Sequence, residues 1–223
     1  MRTTLTVLER PLVTTADLIE RYQQTDWNDE ADTGDHALNP DHAGEFMGLA
    51  RREAAVLVPV IDRPEATILL TVRAKTLRKH AGQIAFPGGS TDPGESAIDA
   101  ALREANEEVG LRERHVKRIV GPLPRYATGS GFRVTPIVAV IDPSFTPHPA
   151  PAEVADTFEV PLRFVLDPES FQIGETEWRG RLRRYYAMHY ASDGTERRIW
   201  GVTAGILRAM AVRLSGASAR TNR

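Results

Sequence analysis

The chain has 223 residues, 41% hydrophobic and 26% charged, with a net charge of −2 and no cysteine. It is long enough to bury a core without covalent staples. It excludes disulfides, thiolate metal sites and a cysteine nucleophile, and it lacks the overall positive charge that draws a protein to nucleic acid. No apolar run approaches the ~18 residues of a membrane helix, and the N-terminal stretch MRTTLTVLERPLVTTADL has no apolar core of a secretory signal. The expectation is a cytoplasmic protein that meets neither nucleic acid nor membrane.

In chain order, residues 14–23 read as a short helix opened by Thr14 or Thr15. Residues 26–45 are rich in Asp, Asn, Gly and His without periodicity and read as a surface loop or partly disordered segment. AAVLVPVI (Ala54–Ile61) is a short apolar run, expected to form a strand buried on both faces. After a turn at Arg63–Pro64–Glu65, ATILLTVR completes a hairpin. Residues 75–83 are basic and loop-like, and Phe86–Pro87–Gly88–Gly89 breaks a strand end.

The clearest helix follows, with Ser96 as N-cap, Asp99 three residues on in the manner of a capping box, and Gly110 as its stop. VKRIVGPL and FRVTPIVAVI read as strands, and the proline-rich 142–152 as loop. VADTFEVPLRFVL suggests a short helix followed by an extended segment. RLRRYYAMHY and RRIWGV suggest a closing hairpin turning at Asp193–Gly194. Residues 203–214 form an amphipathic helix with Leu207, Met210 and Leu214 inward, leaving 215–223 as a frayed tail. Strands interleaved with few helices give an α/β or α+β chain with a mixed sheet. Its divisions are 1–50 as an N-terminal helix and loop extension and 51–214 as the main domain.

The helix after Ser96 carries Arg103, Glu104, Glu107 and Glu108. At about 100° per residue, Glu104 and Glu108 lie roughly 40° apart and Glu107 roughly 60° to the other side, so the three carboxylates form one arc beside the apolar face. Glutamates on helices are usually solvated surface. Half-buried like charges, however, repel and need an offset. A hard cation such as Mg²⁺, which is held by a few carboxylates with water and phosphate oxygens, would supply it.

The spacing extends beyond the helix. From Gly89 the chain runs five residues to Glu95, seven to Arg103–Glu104, two to Glu107–Glu108, and one to Gly110–Leu111. The seven strictly specified positions, leaving out Leu111, at roughly 7% usage each match by chance on the order of 10⁻⁸ per start. The pattern resembles the Nudix box, with Ala105 standing where a larger aliphatic residue is usual. The segment before it, Leu69–Leu70–Thr71–Val72–Arg73–Ala74 with Arg78, Gly82 and Phe86–Pro87–Gly88–Gly89, resembles the signature of the coenzyme A pyrophosphatase subgroup. SGFRVTP (Ser130–Pro136), FEVPL (Phe158–Leu162) and IWGVTA (Ile199–Ala204) resemble that subgroup as well.

The resemblance implies a Nudix-type α/β/α sandwich and Mg²⁺- or Mn²⁺-dependent cleavage of coenzyme A, or its acyl or oxidised forms, to 3′,5′-ADP and 4′-phosphopantetheine. The implied metal ligands are Glu104, Glu107 and Glu108. The implied catalytic residues are Glu104, Glu107 and Arg103, with Glu95 bracing the loop. A general base is required and stays open among Glu104, Glu107, Glu153 and Asp156.

Arg73 and Arg78, with Lys79 and His80 nearby, are candidates for phosphate contacts, and Gly88 and Gly89 for close approach of substrate. The alternative for Arg73 is a carboxylate partner at a strand end. Arg179, Arg181 and Arg183 alternate near Tyr185 and Tyr186, a pattern that can serve nucleic acid; at this net charge a solvated or interface face is the better reading. The six histidines show no ligand spacing. The expected partner is a small-molecule substrate, and a homodimer is a possible assembly. Rival readings are hydrolysis of ADP-ribose or another nucleoside diphosphate derivative, and a non-catalytic nucleotide sensor.

Overall fold

The computed structural model describes residues 11–27, 32–42, 52–178 and 180–220. Helix α1 spans Thr15–Gln24. Strands β1 (Thr33–Gly34), β2 (Arg52–Ile61), β3 (Thr67–Arg73), β4 (Ile84–Ala85) and β5 (Gly88–Ser90) lead into helix α2 (Ala97–Val109). Then come β6 (Val116–Pro122), β7 (Tyr126–Ala127), β8 (Phe132–Ile141), β9 (Val154–Pro161), helix α3 (Leu162–Leu166), β10 (Gln172–Trp178), β11 (Arg181–Ser192), β12 (Thr195–Trp200) and helix α4 (Val202–Arg220).

Among the described residues, a nine-stranded sheet runs β1-β7-β8-β2-β3-β4, with β5 beside β2, β6 beside β8 and β9 beside β3. β2 and β8 are parallel in register from Arg52 opposite Phe132 to Ile61 opposite Ile141. β2 is antiparallel to β3 and β5, so the sheet is mixed. β10, β11 and β12 form a separate antiparallel sheet.

Successive residues of a strand point to opposite faces, and β2 is apolar on both. Ala54, Val58 and Val60 join one core cluster with Leu18 of α1, Leu162 of α3, Leu207, Met210 and Leu214 of α4, and Met188 of the small sheet. Ala55, Leu57 and Ile61 join a second cluster with Ala100, Ala101, Ala105 and Val109 of α2. The sheet is therefore covered by α2 on one side and by α1, α3 and α4 on the other. This is the expected α/β/α sandwich. No described helix is long and apolar enough to cross a membrane.

Most expected elements appear. Thr14 closes a full capping box with Asp17 at the start of α1. Leu18 is fully buried, so α1 belongs to the core although it lies in the segment the sequence sets apart. The β11–β12 turn holds Asp193 at φ 53° and Gly194 at φ 72°, with both central residues left-handed as a two-residue hairpin loop prefers. Gly110 caps α2 at φ 69°.

Four expectations need correction. In VADTFEVPLRFVL the strand comes first and the helix second. Val154, Phe158 and Val160 are buried in a strand that completes the free side of β3, from Thr67 opposite Pro161 onward. The 26–45 segment is not wholly loop, since Thr33–Gly34 pairs in parallel with Tyr126–Ala127 and short 3₁₀ turns follow; residues 28–31 and 43–51 lie outside the described set. The terminal helix continues to Arg220, through what reads in sequence as the tail. At α2, Ser96 accepts the Asp99 amide, but Asp99 receives the Ser96 hydroxyl (2.6 Å), so the reciprocal half of the box is absent.

Candidate active site

The site begins where β5 crosses between β2 and α2. Gly88 and Gly89 lie opposite Val56 and Ala55. A Cβ built on Gly88 would strike the Ala55 carbonyl and Val56. One built on Gly89 would strike the carboxylate of Glu104. Both glycines are there because backbone must pass where a side chain cannot.

The α2 carboxylates differ sharply in surroundings. Arg103 donates to Glu95 through Nε (2.9 Å) and Nη2 (3.1 Å), and through Nη1 to Glu104 (2.9 Å). Its Nη1 also lies 3.5 Å from Glu107, and Nη2 donates to the Ser90 carbonyl at 3.1 Å. Glu95 additionally accepts the Asp92 amide (2.9 Å); the Arg103 guanidinium, with that amide, holds its carboxyl below the usual range. Arg103 and Glu95 thus tie the 88–95 loop to α2 and set the Glu104 carboxylate against Gly89.

Glu108 is the buried member, its side chain 3% exposed against 16% for Glu104 and 56% for Glu107. Burial pushes its carboxyl up to about 7, and the charges of Glu104 and Glu153 push the same way. Arg73, with Nη1 3.6 Å away, and the Gly88 amide oppose the shift. The proline-rich loop closes on the same end of α2, its Ala150 amide donating to the Glu108 carbonyl (2.9 Å) and its His148 amide to the Val109 carbonyl (2.9 Å). Glu153 follows in that loop, its carbonyl accepting the Ala74 amide (2.8 Å) just beyond Arg73.

The three carboxylates have different cationic neighbours and different exposure. Glu104 and Glu107 are offset by Arg103 and Glu108 by Arg73, and no three Asp, Glu or His side chains among the described residues converge as a metal cage. The donor set still fits a hard divalent ion. Mg²⁺ needs only one or two carboxylates beside water and phosphate oxygens, and Glu108 carries a costly buried charge that a cation would relieve.

A cavity of about 320 Å³ adjoins this centre. Arg73 and Gly88 belong to both. From the loop after β3 come His80, whose Nδ1 donates to Gln83 Oε1 (2.9 Å), and then Ile84 and Phe86. Ser130, Phe132 and Val134 line it from the turn into β8, and Trp200, Val202 and Thr203 from the turn into α4. Thr203 is buried and donates to the Ile84 carbonyl (3.0 Å), locking these two turns together. Arg183 of β11 completes the wall.

A model of the NUDIX domain matches residues 51–181. The chain is 45% identical over 167 residues to the uncharacterized Nudix hydrolase NudL of Cronobacter sakazakii, covering 74% of this chain and 84% of that protein. It is 45% identical over 161 residues to NudL of Photorhabdus laumondii, covering 72% and 83%. The chain belongs to the Nudix hydrolase family. Among solved structures it is similar to RenU, a Nudix hydrolase of M. smegmatis, with 26% identity, a TM-score of 0.44, and coverage of 52% of this chain and 73% of that one. Nudix hydrolases are enzymes that act on small-molecule diphosphates with divalent metals such as Mg²⁺ or Mn²⁺.

Of the residues singled out from the sequence of this Nudix hydrolase, Glu104, Glu107, Glu108, Arg103, Gly88, Gly89 and Arg73 meet around α2 and β5. Arg73 pairs with Glu108 at a strand end and also lines the cavity. Arg78 and Lys79 are exposed and line none of the cavity, whereas His80 does. Asp156 is paired with Arg197 (3.3 Å) and lines none of this cavity. The arginine alternation on β11 is not simply a solvated face, because Arg183 lines the cavity; Arg179 lies outside the described residues. Trp200 and Phe132 were legible only as parts of resembling segments, since nothing in their spacing shows that two distant turns meet.

Proposed function

We propose that this enzyme hydrolyses the diphosphate of coenzyme A, and of acyl or oxidised forms, giving 3′,5′-ADP and 4′-phosphopantetheine. The observation that carries the reading is convergence. The 69–89, 130–136 and 199–204 segments, which resemble the coenzyme A subgroup separately in sequence, line one cavity that shares Arg73 and Gly88 with the carboxylate centre.

In this reading Glu104 and Glu108 would hold a divalent ion and Glu107 would contribute to a second. When bound, such an ion neutralises phosphate oxygens and lowers the pKa of water. Arg103 orients Glu104 and Glu107, and Glu95 braces the loop through Arg103. Gly88 and Gly89 leave the diphosphate room to approach backbone, and Arg73 offers it a guanidinium. Water adds to one phosphorus, the bridging oxygen leaves on the other, and a carboxylate takes the water proton. Glu104 and Glu107 remain candidates for that base. Of the two acidic residues considered outside the box, Glu153 is favoured over Asp156 of β9, because Glu153 lies close enough for its charge to act on Glu108 while Asp156 is paired with Arg197.

The test is a substrate panel of coenzyme A, acetyl-coenzyme A, ADP-ribose, NADH and diadenosine polyphosphates with Mg²⁺ or Mn²⁺ and with EDTA. Metal-dependent release of 3′,5′-ADP from the coenzyme A compounds in preference to the rest is expected. Preferential cleavage of ADP-ribose or NADH would keep the family chemistry and overturn the substrate. Binding without hydrolysis would point to a sensor, against which the intact set of box glutamates argues.

A further inference from the structure

The cavity has two unlike sets of walls. Arg73 stands at the carboxylate end, engaged with Glu108. Arg183 and Trp200 enter from the small sheet. Residues two apart on a strand share a face, so Arg183 lies on the face of Tyr185 and Ala187, and Ala187 is directly opposite Trp200. Tyr185 packs against the Trp200 ring (centroids 5.4 Å apart) and accepts from Arg198 (2.7 Å), which fixes the indole at the cavity wall. Phe132 adds a second ring. His80, held at φ 57°, adds an imidazole from a backbone conformation that non-glycine residues seldom adopt.

The two halves of the substrate proposed above differ in what they ask of such a cavity. The pantetheine arm is flexible and has neither an aromatic face nor charge beyond the diphosphate. The nucleoside half has a flat base, which stacks on indole and phenyl rings, and a 3′-phosphate, which suits a planar guanidinium distinct from the one at the diphosphate. We infer that this cavity is the subsite for a 3′-phosphorylated purine nucleoside and that Arg183 is the residue that reads the 3′-phosphate. The inference rests on the coenzyme A reading for its substrate, but its binding test does not need turnover.

The experiment compares wild type, Arg183→Gln and Arg183→Lys in two ways. The first is kcat/KM on coenzyme A and on dephospho-coenzyme A. The second is calorimetric binding of 3′,5′-ADP and of 5′-AMP. Wild type is expected to prefer the 3′-phosphorylated member of each pair. Loss of a charge-assisted contact should shrink both preferences about tenfold or more in Arg183→Gln, with partial recovery in Arg183→Lys, which keeps charge but not the fork. If Arg183→Gln keeps both ratios, the 3′-phosphate is read elsewhere and the inference fails. If wild type cleaves neither coenzyme A compound, the substrate reading falls. The binding of 3′,5′-ADP against 5′-AMP then still decides the subsite.

Discussion

At Gly89 not even one methyl group fits, because the Glu104 carboxylate occupies the space where a Cβ would go. Gly88 is equally tight, but against the backbone of Ala55 and the body of Val56. The two glycines should therefore fail differently. Gly89→Ala must displace a flexible side chain, so we predict a fall in kcat of roughly one to two orders of magnitude with a nearly unchanged melting temperature. Gly88→Ala must push strands apart, so we predict a loss of stability of about 1–3 kcal/mol, the usual cost of overpacking. Thermal unfolding beside steady-state kinetics checks both, and identical behaviour of the two variants would contradict this division. The sequence shows that glycines stand here. Which neighbour each one spares is visible only once β5 is laid between β2 and α2.

Element by element, what was legible follows from how local each signal is. α2 announces itself through Ser96, its apolar spacing and Gly110, all within one window. The β11–β12 hairpin is equally local, set by Asp193–Gly194. The order of strand and helix in 154–166 was not, because Val154, Phe158 and Val160 owe their burial to β3, some 90 residues earlier in the chain. β10 went unseen for a similar reason: its residues are mostly exposed and carry no apolar alternation, and it is a strand because β11 pairs with it from Gln172 opposite Ala187 to Trp178 opposite Arg181. The box residues were legible from spacing, yet the separation of Glu108 from Glu107 was not. A helical arc fixes angles about one axis, whereas burial depends on what the 142–153 loop and Arg73 do at the end of α2. That Arg183 and Trp200 line one cavity was not legible, because that cavity is assembled from turns remote in sequence.

The whole sandwich is tied across its edge by carboxylates with partners. Glu159 of β9 takes both Nε (3.0 Å) and Nη2 (2.7 Å) of Arg63 and the Thr67 hydroxyl. Burial raises its carboxyl, but these hydrogen bonds outweigh burial and leave it below its ordinary value of 4.5. Asp62, bonded to Lys117 (2.5 Å), and Asp17 at the α1 cap are lowered too. A carboxyl lowered in the fold stabilises fully above its unfolded pKa, and that contribution is lost as pH falls through the folded value. We predict that the unfolding midpoint drops as pH falls below about 4.5. Glu159→Gln should be less stable at pH 7 and show a shallower acid decline; an acid limb as steep as wild type would remove Glu159 from the account.

Metal-dependent hydrolysis at the buried end of α2 turns on Glu108. The most direct measurement is release of 3′,5′-ADP from coenzyme A by wild type and Glu108→Gln across a Mg²⁺ titration, with circular dichroism confirming the fold of both. Metal-dependent turnover is expected in wild type and a loss of at least about 100-fold in the variant, in keeping with removal of a group that acts in the transition state. Near-normal, Mg²⁺-dependent turnover in a correctly folded Glu108→Gln protein would contradict it.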